Sequence, residues 1–294
     1  MAPPCILITG ANKGIGLALV RRCLKRAPDV LVVLGCRSRS KGIAAIEGLV
    51  RENPEWEARM HLVQMDTSSD YSTKKAAEEF AKAAPPKFQK LSAIVNNAGI
   101  AYGSSKDIMA TNVAGPKRVD DAFMPFLDMD APGKPRIVQM SSGAAVRCVQ
   151  NSTPEQRKFL MDTENITWDG IVSIVDMISN EGEISKRKLK KKHGFGAMRG
   201  VSDTAYGLSK ALLNLYTAMR AKELGDKVRV NACSPGAIAT DLFNSSAMAF
   251  IMRRIMSSPD TGTKSTLMLL FEEGDGGTGQ FYHKTGERRD FDKY

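Results

Sequence analysis

The sequence predicts an α/β fold: one right-handed, doubly wound parallel sheet with helices on both faces. Two observations carry this. Short apolar runs recur along the chain, among them Val30–Leu34 and Leu91–Val95, and continuous runs of this kind suit strands buried on both faces. Stretches of helical periodicity separate them, and strand–helix alternation with short connections favours right-handed crossovers and a parallel sheet. A chain of 294 residues, 43% hydrophobic and 25% charged, buries enough core for residues 1–294 to form a single domain.

The elements follow in order. Pro4–Ile8 reads as the first strand, Thr9–Gly16 as a glycine-rich turn, and Leu19, Val20, Cys23 and Leu24 as the apolar stripe of the first helix. Val30–Gly35 is a second strand, Gly42–Asn53 a helix, and His61–Met65 a third strand ending at Asp66. Ser72–Ala84 is helical until Pro85 and Pro86, and Leu91–Val95 leads into Asn96-Asn-Ala-Gly99. Lys106–Leu127 is a helix broken near Gly115-Pro116, because proline removes a helical donor and clashes with the preceding turn. Arg136–Met140 delivers Ser141 and Ser142, Val228–Cys233 delivers Ser234-Pro-Gly236, a late helix covers about Gly262–Phe271, and Gly279–Tyr282 forms a short last strand.

A long insert interrupts this rhythm at about residues 143–203. Thr153-Pro-Glu-Gln156 is a capping box with proline at the first helical position. Ile171, Ile174, Val175 and Ile178 recur at helical spacing and predict a second insert helix with one face inward. Lys186–His193 then places six cations in eight residues, a large part of the net charge of +10. The plain reading is a solvated, flexible insert edge. The sharper readings are a nuclear-localisation-like run, attraction for anionic substrates and, last, nucleic-acid contact, since no interleaved aromatics offer stacking surfaces.

Other classes drop out. The longest apolar runs are far short of a membrane span, and the segment before the first strand is too short for a secretory signal, so a cytoplasmic protein is expected. Five cysteines without a C-x-x-C pair read as buried free thiols. Three scattered histidines give no metal-ligand spacing, and no metal is expected.

The chemistry lies at the strand ends. A strand, the turn Gly10-Ala-Asn-Lys-Gly-Ile-Gly16 and a helix start make a phosphate cradle, because glycines permit close backbone approach and a helix N-terminus offers free N–H groups. After the second strand, where an NAD site would place an acid for the ribose, the chain reads Cys36-Arg37-Ser38-Arg39-Ser40-Lys41. Cations without an acid favour a 2′-phosphate, so the expected cofactor is NADP(H), with Arg37 first, Lys41 second and Lys13 adding to the field. Tyr206 and Lys210 stand four apart where the apolar period Leu208, Ala211, Leu212, Leu215, Met219 begins. On a helix they share a face, and a cation beside a phenol lowers its pKa.

Together, Thr9–Gly16, Asn96-Asn-Ala-Gly99, Asn112, Ser142, Tyr206-x-x-x-Lys210 and Asn231 through Pro235-Gly236 resemble the short-chain dehydrogenase/reductase family, in the same order and over about residues 5–240. The insert before Tyr206 and the ending Gly279-Gln-Phe281 resemble its carbonyl-reductase branch. The resemblance implies a Rossmann-type sheet and the reduction of a ketone, aldehyde or quinone by hydride from NADPH, or the reverse oxidation. It implies Tyr206 as general acid, Ser142 as a second donor to the carbonyl oxygen, Lys210 as the group that lowers the Tyr206 pKa and holds the nicotinamide ribose, and Asn112 as holder of a water linked to Lys210. Gly10, Asn12, Lys13, Gly14, Ile15 and Gly16 would line the cofactor with Asp66 at the adenine and Asn97, Ala98 and Gly99 packed against it. Pro235, Gly236, Ile238 and Thr240 would hold the carboxamide. A monomer is implied, because inserts in this branch cover the helix other members use to assemble.

Two features depart from the pattern. The Gly99–Asn112 connection is short, so Ile100–Ser105 must bridge strand and helix almost directly and reshape the pocket wall. Asp241–Ser258 reads as a hydrophobic lid. The competing reading is a non-catalytic NADP-binding scaffold whose basic insert recruits partners; a pure binder has no need of Ser142, Tyr206 and Lys210 together.

Overall fold

The computed structural model describes residues 4–131, 133–182, 184–196, 205–238, 258–272 and 277–293. Among these residues the strands are β1 (Cys5–Thr9), β2 (Leu31–Cys36), β3 (Met60–Gln64), β4 (Ala93–Asn96), β5 (Arg136–Met140), β6 (Arg229–Cys233), β7 (Phe281–Tyr282) and β8 (Arg288–Arg289). They form one sheet in the order β3-β2-β1-β4-β5-β6-β7-β8. Every neighbouring pair is parallel except β7 and β8. The register aligns the strand ends, with Thr9 opposite Gly35, Ile8 opposite Val95 and Met140 opposite Cys233. Strand order reverses between β1 and β4, and ligands of such sheets sit beyond the C-terminal strand ends at that switch point. The antiparallel β8 is an addition to the expected elements, paired by Phe281 to Arg289 and Tyr282 to Arg288.

The helices are α1 (Gly14–Arg26), α2 (Arg39–Glu52), α3 (Asp70–Ala83), α4 (Ser105–Met109), α5 (Gly115–Phe123), α6 (Gly143–Asn151), α7 (Pro154–Met161), α8 (Trp168–Ser179), α9 (Lys186–His193), α10 (Tyr206–Leu224) and α11 (Lys264–Phe271). One core joins Ile6, Ile8, Val32 and Val95 of the sheet to Leu19 and Cys23 of α1, Leu49 of α2 and Leu267 of α11. The opposite face packs Leu7, Val33, Ile94 and Ile137 against Phe80 of α3 and Val119 and Phe123 of α5. Alternation of side chains across buried strands supplies both faces.

The helix expected over Lys106–Leu127 does not break. α4 runs through one π turn, Ala110–Ala114, into α5, with Pro116 in the first turn of α5. The wider turn accommodates a ring that the regular ladder rejects. Arg118 Nη1 donates to Ala110 O at 2.9 Å, satisfying a carbonyl there. Gly115 packs closely, since a Cβ there would lie 3.1 Å from Thr67 O.

The insert forms a third core. Leu160 of α7, Ile171 and Ile178 of α8, Ile184, Leu189 of α9 and Phe195 pack with Leu208, Leu212 and Leu215 of α10, and Trp168 meets Tyr216 edge-on at 5.7 Å. Every residue from Tyr206 to Met219 is consequently buried, the pattern of a helix enclosed on all sides. Thr153 caps α7 as its sequence predicts, accepting from Gln156 N–H at 3.4 Å. The basic run differs from the flexible edge expected of it. It is a helix, capped by Ser185, which accepts from Lys188 N–H at 3.3 Å, and anchored by buried Leu189. Lys192, Lys188 and His193 converge on Glu181 and hold its carboxyl down at about 2.

Candidate active site

The site begins with what α1 lacks. Ser38, Ser69, Ser104, Thr153, Thr167 and Ser185 each cap a helix through a side-chain oxygen, an arrangement worth about 1 kcal/mol apiece. Lys13, at the same position before α1, carries no side-chain oxygen that could cap it, and the N–H groups of such a helix start suit an anion. Gly10 and Gly14 have φ of +65° and +56°, a region costly for residues with a Cβ. At Gly16 a Cβ would lie 2.3 Å from Gly10 O and 2.6 Å from Asn97 Nδ2. Close packing leaves no room for a side chain at Gly16, and a tight turn with two left-handed glycines at a helix start has the form that suits a pyrophosphate. Asn12 and Ile15 are half-buried within it.

The two sides of the switch point are stitched together. Thr9 Oγ1 accepts from the N–H groups of Asn97 and Ala98, both at 3.0 Å, and Asn97 Nδ2 donates to Thr9 O at 2.8 Å. Beyond β2, Arg37 and Lys41 are exposed. Asp66, beyond β3, accepts from the Ser68 N–H at 3.0 Å and the Ser68 hydroxyl at 2.7 Å.

At β5 the chain turns directly into α6. Ser142 is its N-cap and accepts from Ala144 N–H at 3.2 Å. Tyr206, at the start of α10, stands near the Ser142 hydroxyl; burial pushes its phenol up to about 12, with Ser142 pulling the other way. Lys210, also buried, donates from Nζ to Met140 O at 2.7 Å, 5.9 Å from the centre of the Tyr206 ring. Burial pushes it down to about 8. Here the structure departs from the sequence expectation: Tyr206 is raised, and Lys210 is not what shifts it. The physical reason is burial, of Tyr206 against Ala101 and Ala144 and of Lys210 against the ends of β5 and β6, which penalises both charged forms, while the ammonium is aimed at a carbonyl.

Gly99 shows that the expected groups converge. A Cβ there would lie 3.2 Å from Asn112 Oδ1 and 3.4 Å from Lys210 Nζ. Asn112, in the π turn, accepts from Ile100 N–H at 2.9 Å and donates to Ile100 O at 2.8 Å and Ser209 Oγ at 3.0 Å. Its amide therefore braces the short wall against α10. In that wall Ala101 packs on Ala144 and Tyr206, with Tyr102 alongside, and Ser105 N–H donates to Gly182 O of the insert at 3.1 Å.

The third side follows β6. Ser234 Oγ accepts from Gly143 N–H at 3.1 Å and Gly236 N–H at 3.2 Å, tying the Ser142 loop to Pro235-Gly236. Gly236 has φ +86°, and Ile238 is buried against Gly262, where a Cβ would meet its Cγ1 at 2.8 Å. Thr240 and all of the expected lid Asp241–Ser258 except Ser258 lie outside the described residues. Among the described residues no group of acids, histidines and cysteines is placed to hold a metal. Sequence reasoning missed Ser209, Ser234 and Ala101. The first lies inside Thr204–Lys210 and the second beside Pro235-Gly236, so only their bonds distinguish them from spacer residues.

The short chain dehydrogenase family profile matches residues 4–154, and a profile described as enoyl-(acyl carrier protein) reductase matches residues 194–281. Carbonyl reductase (NADPH) 1 of Mus musculus is 30% identical over 296 residues, covering 95% of each chain. The (+)-neomenthol dehydrogenase of Arabidopsis thaliana is 31% identical over 268 residues, covering 82% of this chain and 84% of its own. Among solved structures, salutaridine reductase from Papaver somniferum superposes with a TM-score of 0.76 at 24% identity, over 95% of this chain and 99% of the other, which establishes the fold. The glycine cradle and the cations without a ribose-binding acid agree with NADP(H) as the cofactor. This chain belongs to the short-chain dehydrogenase/reductase family, in its carbonyl-reductase branch, as an NADP-dependent oxidoreductase.

Proposed function

We propose that the chain reduces a small ketone, aldehyde or quinone, with Tyr206 as the general acid. The supporting observation is the convergence of Lys210 and Asn112 on Gly99, with Ser142 beside the Tyr206 phenol. Bound NADPH supplies the hydride. As negative charge grows on the substrate oxygen, Tyr206 gives it the phenolic proton and Ser142 donates a second hydrogen bond, stabilisation that acts where charge develops. With its pKa near 12, Tyr206 keeps that proton throughout the physiological range until substrate takes it. Lys210, with a pKa near 8, is mostly charged at neutral pH and offsets the phenolate left behind. Asn112, whose amide donors are already taken by Ile100 O and Ser209 Oγ, would hold, by an acceptor oxygen, the water through which the proton is replaced.

The N–H groups of Gly10–Gly16, with Asn12, Lys13 and Ile15, would hold the pyrophosphate, Arg37 and Lys41 the 2′-phosphate, and Asp66 the adenine. Asn97, Ala98 and Gly99 would pack the nicotinamide half, Tyr206 and Lys210 its ribose, and Pro235, Gly236, Ile238 and Thr240 its carboxamide. Burial of α10 beneath the insert supports a monomer, and the single sheet supports one domain. No described helix is long and apolar enough to cross a membrane, and we read the protein as cytoplasmic. The test is a panel of ketones, aldehydes and quinones with NADPH, following loss of nicotinamide absorbance. Turnover of at least one class is expected. Tight NADPH binding without turnover across the panel would favour the scaffold reading.

A further inference from the structure

Asp120 of α5 is fully buried, and no step above uses it. Its Oδ1 accepts from Asn96 Nδ2 at 2.6 Å, and its Oδ2 accepts from Gln139 Nε2 at 2.9 Å and the Tyr216 hydroxyl at 2.7 Å. Each donor belongs to an element that carries the site. Asn96 ends β4 immediately before Asn97-Ala-Gly99, Gln139 lies in β5 shortly before Ser141-Ser142, and Tyr216 is on the helix of Tyr206 and Lys210. The other ends of the two amides, Asn96 Oδ1 and Gln139 Oε1, have no hydrogen-bond partner among the described residues, so the carboxylate sets how both amides are turned. Burying a carboxylate is costly, and donors reduce that cost without cancelling it.

We propose that Asp120 is a positioning residue: one carboxylate holds the ends of β4 and β5 against α10, and thereby sets Ser142 and Gly99 relative to Tyr206 and Lys210. This rests on the reading of Tyr206 as the acid. Asp120 faces Tyr216 and Arg220 of α10 and the neutral amides of β4 and β5. On its own helix Asp121 accepts from Arg220 Nη2 at 2.9 Å. α3 meets α5 through Asp70, paired with Arg118, and through the Phe80 and Phe123 rings. Burial raises the Asp120 carboxyl to about 6 despite its donors. Protonation as pH falls through that value puts a hydrogen on one oxygen and loosens the clamp, so turnover should show an acid limb there.

The test uses the full chain with Asp120→Asn, Tyr216→Phe, the double variant and Tyr206→Phe, measuring kcat against pH, KM for carbonyl and NADPH, NADPH affinity and Tm. Asp120→Asn should lower kcat about tenfold while NADPH affinity changes less than about twofold, the signature of misalignment rather than lost binding. The acid limb should disappear with it. Tyr216→Phe should lower kcat about threefold, and the double variant should be no worse than Asp120→Asn, as expected of residues acting through one network. Unchanged kcat with the acid limb retained, or additive losses in the double variant, overturns the inference. If Asp120→Asn does not fold, Tyr216→Phe decides: a lowered kcat supports the clamp and an unchanged one refutes it. An active Tyr206→Phe would instead refute the reading of the site. An inactive Tyr206→Phe beside an unaltered Asp120→Asn removes only the clamp.

Discussion

Around Gly10, Gly14 and Gly16 the site is made of backbone, and its cations Arg37 and Lys41 stand in solvent. Around Tyr206 it is made of side chains, Tyr206, Lys210 and Asn112 buried among several elements, with Lys210 bonded to Met140 O and Asn112 to Ile100 and Ser209. The first region needs only local geometry and charge, which screening moderates but burial does not distort. The second takes its proton affinities from burial, so its chemistry depends on the wall and strand ends that close around Tyr206 and Lys210. One end binds, then, through groups that act nearly alone, and the other reacts through groups that act together.

Variants at the two ends should differ accordingly. The largest effect expected at the cradle is from Gly16→Val, whose first side-chain carbon would already lie 2.3 Å from Gly10 O. NADPH affinity measured by fluorescence titration should fall by at least about a hundredfold. Arg37→Glu should raise the KM for NADPH by about ten- to a hundredfold, the range of a lost charge-assisted bond, and leave that for NADH nearly unchanged. Equal changes for both cofactors would remove Arg37 from the 2′-phosphate site.

The smaller effect is in pH. Lys210 has its pKa lowered from 10.5 to about 8, so it is charged below that value and neutral above it. Reductive kcat should decline by up to about tenfold per unit above pH 8, while NADPH affinity stays nearly flat. Unfolding does not explain such a decline through this group. With the folded pKa below the unfolded one, the unfolded chain binds more protons between about 8 and 10.5, and Lys210 by itself adds stability as pH rises there. Tm recorded across the same range separates the two.

What was legible in the sequence follows the same division. Strand runs, the glycine turn and the missing acid after β2 are local signals, and the parallel sheet and the cofactor class were readable from them, whereas the order of the strands came only with the fold. So were Thr153 as a cap and the inward positions Ile171 and Ile178, because periodicity reports burial directly. The direction of the Tyr206 shift was not readable, since spacing puts a cation near a phenol but says nothing of desolvation. The π turn escaped because Pro116 signals a broken ladder and not the way it is repaired. Asp120 escaped entirely. In the sequence it is half of an ordinary Asp-Asp pair on a helix, and only the fold turns it inward to Asn96, Gln139 and Tyr216.

Proton delivery by Tyr206 is tested most directly by single-turnover reduction in Tyr206→Phe, with NADPH binding measured on the same preparation. The substitution removes one buried hydroxyl and leaves the ring against Ala101 and Ala144. The expected result is a rate lowered by about 10²–10⁴, the range of general-acid assistance, with NADPH affinity within about twofold of the parent. A rate within about threefold of the parent, at equal NADPH occupancy, would contradict the account.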